Sequence, residues 1–258
     1  MKSKFLLDLA ENIGSKISRR NALKYMTGST IGLFLVGSFG SESHSASGDG
    51  LKCSVIKSET ARPFPADGSN RHNVLTDSAV FRRDIRSNLD GNNIQDGAEF
   101  TLNIFVVNAS NNSEPVAGAA VYLWHCNAAG EYSAYAAMGQ SHQTDKDFLR
   151  GVQITDLNGQ VTFATICPGR YRGRATHFHV AIYKDDSLAT ELNTTQFAFD
   201  ESITNTVYAS GSAYDKSDKT REITNSEDNI LRDGYDAQLL KISGDPGSGY
   251  VGTIVVGI

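Results

Sequence analysis

The sequence predicts an all-β protein, built as an antiparallel β-sandwich with an extended N-terminal arm. Short apolar segments recur between turns across residues 96–258, and no long helical pattern separates them, which is typical of sandwich domains. The composition agrees, because 24 glycines and abundant Thr and Val favour tight turns and strands over long helices. A chain of 258 residues, 40% of them hydrophobic, is long enough for one sizeable core.

The first predicted strand lies in EFTLNIFVV, residues 99–107. Phe100, Leu102, Ile104 and Val106 alternate with the other side chains and therefore share one face. Because Phe and Val also occur on the opposite face, the strand is expected to be buried on one side and partly buried on the other.

Six further segments have the same character. They read, in order, AAVYLWHC, GVQIT, VTFATI, THFHVAIY, TTQFAF and GYVGTIVVGI. The second and third of these flank DLNG, in which Asn158-Gly159 predicts a hairpin turn. One short helix is predicted over residues 200–209, since the acidic pair Asp200 and Glu201 suits a helix N-terminus.

Residues 48–95 are predicted to form the extended arm. They are rich in Ser, Asn, Asp, Arg and Gly and show little periodicity, with turns expected at Pro63-Phe64-Pro65 and Asp67-Gly68. The predicted organisation is therefore a leader over residues 1–47, the arm over 48–95 and the sandwich over 96–258.

The leader has the plan of a twin-arginine signal peptide. Arg19-Arg20 is followed by a modestly apolar run over residues 31–37 and then by the small-residue stretch SESHSASGDG. The apolar run is too short and too rich in Gly, Ser and Thr to span a bilayer. Such signals export folded proteins, often with a cofactor already bound, so a periplasmic or extracellular location is expected. Cleavage is predicted between Ser45 and Gly48.

The charge distribution argues against nucleic-acid binding. The formal net charge of the whole chain is −5. Residues 1–47 carry six Lys and Arg against three Asp and Glu, which leaves 18 against 26 and a net charge of −8 in the exported part. An acidic protein of this kind lacks the basic surface that nucleic acids need.

Three cysteines, Cys53, Cys126 and Cys167, lie in the exported part. An exported chain can keep a disulfide, and three thiols would leave one unpaired. Their spacing does not decide which two would pair, or whether any do. The absence of a C-x-x-C motif from the sequence excludes a zinc ribbon or a redox pair.

The segment YRGRATHFHV contains two histidines at strand spacing. Side chains two residues apart point the same way, so His177 and His179 share one strand face and Phe178 and Val180 the other. The spacing by itself favours a half-solvated strand whose imidazoles face water, because two histidines at strand spacing are a weak motif.

Two tyrosines, Tyr132 and Tyr171, lie where loops enter or leave predicted strands. Two imidazoles with two phenolates form a ligand set that suits ferric iron better than zinc or copper(I), because phenolate is a hard anionic donor. A lone tyrosine is more commonly a core or rim residue, and this chain has ten.

The surrounding motifs identify a family. PVAGAAVYLWHCNAAGEYS, FLRGVQITDLNGQVTFATICPGRYRGRATHFHV and LNTTQFAFDE resemble the intradiol ring-cleavage dioxygenases, the catechol and protocatechuate family. The segments CSVIKSETARPFP and FRRDIR resemble its small exported branch. The resemblance extends over residues 53–258 with the motifs in the family's order.

The resemblance implies a non-haem Fe(III) site with four protein ligands. Tyr132 in GEYS matches the first phenolate ligand, and Tyr171 in PGRY matches the second, which a bound catechol displaces. His177 and His179 match the histidine pair of the family's H-x-H motif.

Further residues carry implied roles. Arg174 matches the arginine that stabilises the charged substrate, and Gln196 in TTQ matches a glutamine of the same pocket. Compartment and resemblance together favour a Cys53–Cys126 disulfide with Cys167 free. His125 is expected to be structural rather than a ligand.

The implied activity is cleavage of a catechol-type ring by O₂ to a muconate-type diacid. The expected partners are therefore a small catecholic molecule and O₂, with no nucleic acid and no membrane span in the exported part; the sequence predicts no particular oligomeric state. The alternative is a degenerate sandwich of the same fold that serves as a binding module, for carbohydrate or adhesion.

Overall fold

Two β-sheets packed face to face form the body of the protein in the computed structural model, which describes residues 53–70, 72–136, 143–217 and 222–258. The predicted leader lies outside the described residues. The described strands are β1 (Glu99–Asn108), β2 (Glu114–Pro115), β3 (Ala120–Trp124), β4 (Arg150–Ile154), β5 (Gln160–Ile166), β6 (His177–Tyr183), β7 (Glu191–Ala198), β8 (Lys241–Asp245) and β9 (Gly249–Gly257). One α-helix, α1 (Glu201–Ser210), and the 3₁₀ helices Ser78–Val80, Ser212–Tyr214, Leu231–Asp233 and Asp236–Gln238 complete the described elements.

The strand order confirms the predicted all-β sandwich. The first sheet runs β2-β1-β9-β8, with β5 also paired to β1, and the second runs β4-β3-β6-β7. One pair departs from the antiparallel plan, because β1 and β9 are parallel from Phe100↔Tyr250 to Val107↔Gly257. The C-terminal strand thus lies inside the sheet, between the first long strand β1 and the edge strand β8.

The core lies between the two sheets and follows the predicted alternation. Leu102 and Ile104 of β1 face Phe178 and Val180 of β6 within one apolar cluster. The rings of Phe100 and Phe178 meet edge to face at 5.4 Å. Each such buried side chain contributes about 1.5–3 kcal/mol of transfer free energy. The other face of β6 therefore points out of the sandwich.

The arm covers that outer face. Phe64, Ala66 and Val80 pack in a second apolar cluster against Tyr122 and Trp124, which point outward from β3. The described residues between 53 and 98 form only isolated β-bridges and one 3₁₀ helix. The arm is therefore held by side-chain packing and single bridges rather than by a continuous β-ladder. Tyr122, Trp124, His177 and His179, which lie on the outward face of the second sheet, are consequently buried. The limits predicted for the arm and the sandwich stay predictions.

The arm also joins the two sheets at one edge. Val55 bridges to Gly257 of β9 in the first sheet, and the backbone N–H of Glu59 donates to Thr194 O of β7 in the second. This segment covers the edge of β7, which would otherwise present unpaired backbone groups.

The predicted hairpin at Asn158-Gly159 is wrong, although its turn is present. Gly159 has φ +70° and donates its backbone N–H to Asp156 O at 2.9 Å. The flanking strands diverge, since β4 pairs with β3 and β5 pairs with β1. A turn signal fixes the local backbone geometry. The sheet that each flanking strand joins is decided by its pairing with a partner strand elsewhere in the chain.

The Cys53–Cys126 disulfide favoured from sequence is absent, and all three cysteines are free thiols. Cys53 lies beside β9, with its backbone N–H donating to Ser113 Oγ at 2.9 Å. Cys126 follows β3 in the other sheet, where its Sγ donates to Gly169 O. The arm meets the first sheet before it reaches the second, which separates the two thiols. Cys167 is free, as predicted.

The predicted helix is confirmed to within one residue. Asp200 is the N-cap of α1, where its Oδ1 accepts the backbone N–H of Ser202 at 2.8 Å. Sequence reasoning missed β8, because its KISGD segment is mostly exposed and has no apolar alternation. No helix in the described part of the chain is long and apolar enough to cross a membrane.

A buried arginine connects the arm to the second sheet. Arg150 of β4 is fully buried, and its guanidinium donates to Phe64 O and Pro65 O of the arm, to Ser133 Oγ and O, and to Tyr122 Oη. Replacing it removes the donors from several buried acceptors at once.

We expect Arg150→Met to lower the free energy of unfolding by about 3 to 5 kcal/mol, since each buried acceptor left without a donor is costly. Denaturant unfolding of the purified protein measures the change. Arg83→Met, which alters an exposed side chain, is the control and should stay within about 0.5 kcal/mol of wild type. Equal stability of the two variants would contradict the assignment of this role to Arg150.

Candidate metal centre

The two histidines lie buried between the second sheet and the arm. His177 and His179 are 2% and 0% exposed, and their Nε2 atoms are 3.1 Å apart. His179 of β6 is the cross-strand partner of Trp124 of β3, and its imidazole stacks on the indole with ring centroids 4.8 Å apart. The arm thus converts a strand face that could have been solvated into an enclosed site.

A backbone carbonyl selects the tautomer of His177. Its Nδ1 lies 2.6 Å from Ala175 O, an acceptor that requires the proton on Nδ1. The lone pair of Nε2 is therefore directed into the site, the arrangement typical of a metal-ligating histidine.

Both imidazoles are neutral. Burial, followed by the positive charge of Arg174, lowers the pKa of His177 well below its ordinary value. Burial, followed by the neighbouring His177, does the same to the pKa of His179. Neutral imidazole is the form that binds metal ions.

Tyr132 reaches the site from the loop after β3. Its ring is fully buried and stacks on Phe64, with ring centroids 4.6 Å apart. The centroid of the Tyr132 ring lies 5.4 Å from that of Tyr171 and 6.1 Å from that of His179. Phe64 belongs to the arm, so the arm forms one wall of the site.

A glycine brings the two tyrosine loops together. Gly130 has φ +84°, and a Cβ placed on it would lie 2.1 Å from Arg170 O. The loop that carries Tyr132 can approach the loop that carries Tyr171 this closely only because residue 130 has no side chain.

Tyr171 completes the cluster from the loop before β6. Its hydroxyl lies 3.1 Å from His177 Nε2 and accepts a hydrogen bond from Arg174 Nη1 at 3.3 Å. Nη1 is also 3.4 Å from His177 Nε2. Arg174 Nη2 donates to Gln196 Oε1 at 2.5 Å, and Gln196 Nε2 donates to Thr60 O of the arm.

Both phenols are protonated at neutral pH. Burial raises the pKa of Tyr132 well above its ordinary value. Burial also raises the pKa of Tyr171 to about 12, although Arg174 acts in the opposite direction. A strongly charged cation is the kind of partner that would displace these protons.

Arg174 keeps its charge despite its position. Burial lowers its pKa, but Tyr171 and Asp228 raise it by more, so the pKa lies above its ordinary value. One fixed positive charge therefore stands beside otherwise uncharged donors.

The structure brings together every residue that the sequence predicted for the site. These residues are Tyr132, Tyr171, Arg174, His177, His179 and Gln196. Within the described ranges, no three His, Cys, Asp or Glu side chains form a group that could hold a metal. The donors gathered here are two neutral imidazoles and two phenols, a set that fits ferric iron. Their role as ligands stays a prediction.

His125 lies apart from this cluster. Its ring is buried toward the core, 4.8 Å from Phe178, with Nδ1 2.8 Å from Cys126 O and Nε2 2.6 Å from Thr165 Oγ1. Both ring nitrogens are thus occupied by protein partners, in agreement with the structural role predicted for it.

Sequence reasoning missed Asp228. It lies 54 residues beyond Arg174 in a polar loop, yet it is fully buried and pairs with Arg174 Nε at 2.8 Å. An isolated aspartate among polar residues carries no sequence signal of this contact. The sequence also predicted only a turn at Phe64 and gave no sign that this residue forms one wall of the site.

Comparison with known proteins agrees with this fold. Residues 75–183 match the family model Dioxygenase_C, described as dioxygenase. An intradiol ring-cleavage dioxygenase from Tetranychus urticae aligns with a TM-score of 0.59 and 24% identity, over 69% of this chain and 86% of its own. Another solved dioxygenase aligns with a TM-score of 0.63 and 25% identity, over 80% and 94%. No curated protein matches the chain.

The fold and the family match define a class. The structural neighbours are intradiol ring-cleavage dioxygenases with the β-sandwich fold, and the predicted resemblance of this chain to that family is confirmed.

Proposed function

We propose that this protein is a non-haem Fe(III) intradiol dioxygenase, which cleaves catechol-type aromatic rings with O₂ to muconate-type diacids. One observation carries the proposal: two neutral imidazoles and two phenols converge in a buried site next to a fixed guanidinium. The resemblance to intradiol dioxygenases supports the same conclusion.

Tyr132, Tyr171, His177 and His179 would hold the metal. When bound, ferric iron supplies a Lewis acid that binds the catechol oxygens and draws electron density from the ring. The surrounding protein fixes the tautomer of one imidazole ligand and the ring orientation of the other. Ala175 O holds the proton on His177 Nδ1, and stacking on Trp124 fixes the ring of His179.

Arg174 would stabilise negative charge on the reacting ring. Its guanidinium cannot lose a proton, and Nη1 is the nitrogen that faces Tyr171 and His177. A charge fixed in place before the reaction costs no reorganisation during it. Gln196 holds the other terminal nitrogen, which keeps Nη1 directed at the site.

The arm would exclude water from the reaction. Phe64 lies against both tyrosines, with its ring 4.6 Å from Tyr132 and 6.5 Å from Tyr171. Because the arm would keep water from this side of the site, electrostatic interactions there would be stronger than in water.

Oxygen uptake tests the proposal. The protein is loaded with Fe(III), and O₂ consumption is followed over a panel of catechols with alkyl, carboxyl and methoxy substituents, with products identified by mass. We expect one O₂ to be consumed per ring and a diacid carrying both atoms of O₂. A protein that binds no iron and consumes no O₂ with any catechol would instead fit the binding-module alternative.

The two tyrosines should differ in their response to catechol. Tyr171 is only partly buried and its hydroxyl already lies beside Arg174, whereas Tyr132 is fully enclosed. We therefore expect catechol to take the place of Tyr171. Tyr171→Phe should weaken the visible phenolate-to-iron absorption before catechol is added and resemble wild type afterwards.

Visible spectra of the iron-loaded variants, recorded without O₂, measure this difference. Tyr132→Phe is the matched control, because its spectrum should differ from wild type both before and after catechol binds. If Tyr171→Phe and wild type differ equally in both states, Tyr171 is not the donor that catechol replaces.

We also propose that the protein is exported through the twin-arginine route. The support is the basic pair Arg19-Arg20 followed by a weakly apolar run and a small-residue stretch. Replacing both arginines with lysine should keep the full-length chain in the cytoplasm of a bacterial host, as fractionation would show. Replacing Lys2 and Lys4 with arginine is the control and should leave export unchanged. Export of the chain without its arginine pair at the wild-type level would contradict the route.

A further inference from the structure

Asp228 is a buried carboxylate that faces the loop between Tyr171 and β6. It is fully buried, and its Oδ2 accepts two hydrogen bonds, from Arg174 Nε at 2.8 Å and from the backbone N–H of Ala175 at 2.7 Å. One oxygen thus holds two consecutive residues of the loop that enters the site.

The position of the carboxylate is itself fixed. Its Oδ1 accepts the backbone N–H groups of Ile230 at 2.8 Å and Leu231 at 3.2 Å, at the start of the 3₁₀ helix Leu231–Asp233. Leu231 is fully buried against Ala175 and Ala198. Asp228 therefore joins a packed segment to the site and cannot rotate freely toward solvent.

Arg174 is consequently held from two sides. Asp228 binds Nε and Gln196 binds Nη2, so the remaining nitrogen, Nη1, is the one directed at Tyr171 and His177. Without the contact at Nε, the guanidinium could turn about its side-chain torsions while keeping only the contact to Gln196.

We propose that Asp228 is a positioning residue that sets the direction of the Arg174 guanidinium without touching the reacting atoms. The proposal rests on the proposed function, because it assigns Arg174 its task. It goes beyond that function in tying the rate to a carboxylate in the segment 222–238, which follows the ligand-bearing strand much later in the sequence.

A double-mutant cycle on the metal-free protein tests the contact without any activity. Asp228→Asn and Arg174→Met should each lower the midpoint of thermal unfolding by roughly 6 to 12 °C, because each leaves a buried charge without its partner. The double variant should lose clearly less than the sum of the two. Additive losses would overturn the pairing.

Turnover per bound iron tests the positioning. Asp228→Asn should lower kcat by about 10- to 100-fold, the range for groups that orient a reactive residue, with a small change in KM. In the Arg174→Met background, the same change should alter kcat by less than about threefold, since there is no guanidinium left to direct. Asp186→Asn, at an exposed position, is the control and should match wild type.

The outcomes separate the two proposals. If wild type turns over no catechol, the proposed function fails while the stability cycle still tests the contact. If wild type is active and Asp228→Asn is destabilised but turns over at the wild-type rate per bound iron, Asp228 is only structural and the positioning proposal is overturned. An equally large loss of kcat in the Arg174→Met background would overturn it as well.

Discussion

Replacing His177 with alanine is expected to release ferric iron and abolish ring cleavage. His177 Nε2 lies within 3.1 Å of both His179 Nε2 and the Tyr171 hydroxyl, so it stands at the centre of the donor cluster. Removing it leaves three donors and breaks the geometry that makes them converge. We expect affinity for Fe(III) to fall by more than about 100-fold, and activity to fall with it.

Iron content after loading and gel filtration, measured together with the visible spectrum, checks this expectation. His72→Ala is the matched control, because His72 lies on the arm against Tyr135 rather than in the cluster. That variant should keep iron and colour. Full iron content and full activity in His177→Ala would remove His177 from the ligand set.

The histidine strand shows how far pattern reasoning extends. Alternation placed His177 and His179 on one face and Phe178 on the other, and the core contacts of Phe178 agree with that placement. Alternation could not tell whether the imidazole face would be solvated. That depends on Phe64, which reaches the site from more than a hundred residues earlier in the chain, and no local pattern encodes such a contact.

Pairings between distant segments were the weakest predictions for the same reason. Asn158-Gly159 correctly indicated a turn, but the sheet joined by each flanking strand depends on partners elsewhere. The Cys53–Cys126 pairing failed because it required knowledge of which sheet the arm meets first. Asp228 is buried only because its loop folds over the site, and this too is a long-range contact.

Replacing Arg174 with methionine is expected to slow ring cleavage while leaving the iron in place. The side chain donates no ligand in the proposed set, so iron content and the phenolate absorption should stay near wild type. Methionine keeps much of the apolar volume but removes the charge beside Tyr171 and His177. Loss of one such preorganised charge lowers kcat by about 100- to 1,000-fold.

The rate loss can be separated from damage to the fold, because Arg174→Met leaves the carboxylate of Asp228 buried without its cation. The double variant Arg174→Met/Asp228→Asn removes both charges, so it should recover stability but not turnover. Arg172→Met, two residues away and exposed, is the control for charge in the same loop and should retain wild-type kcat. Steady-state O₂ uptake per bound iron measures turnover, and thermal unfolding of the metal-free variants measures stability. If the double variant recovers turnover along with stability, the charge of Arg174 serves the fold rather than the reaction.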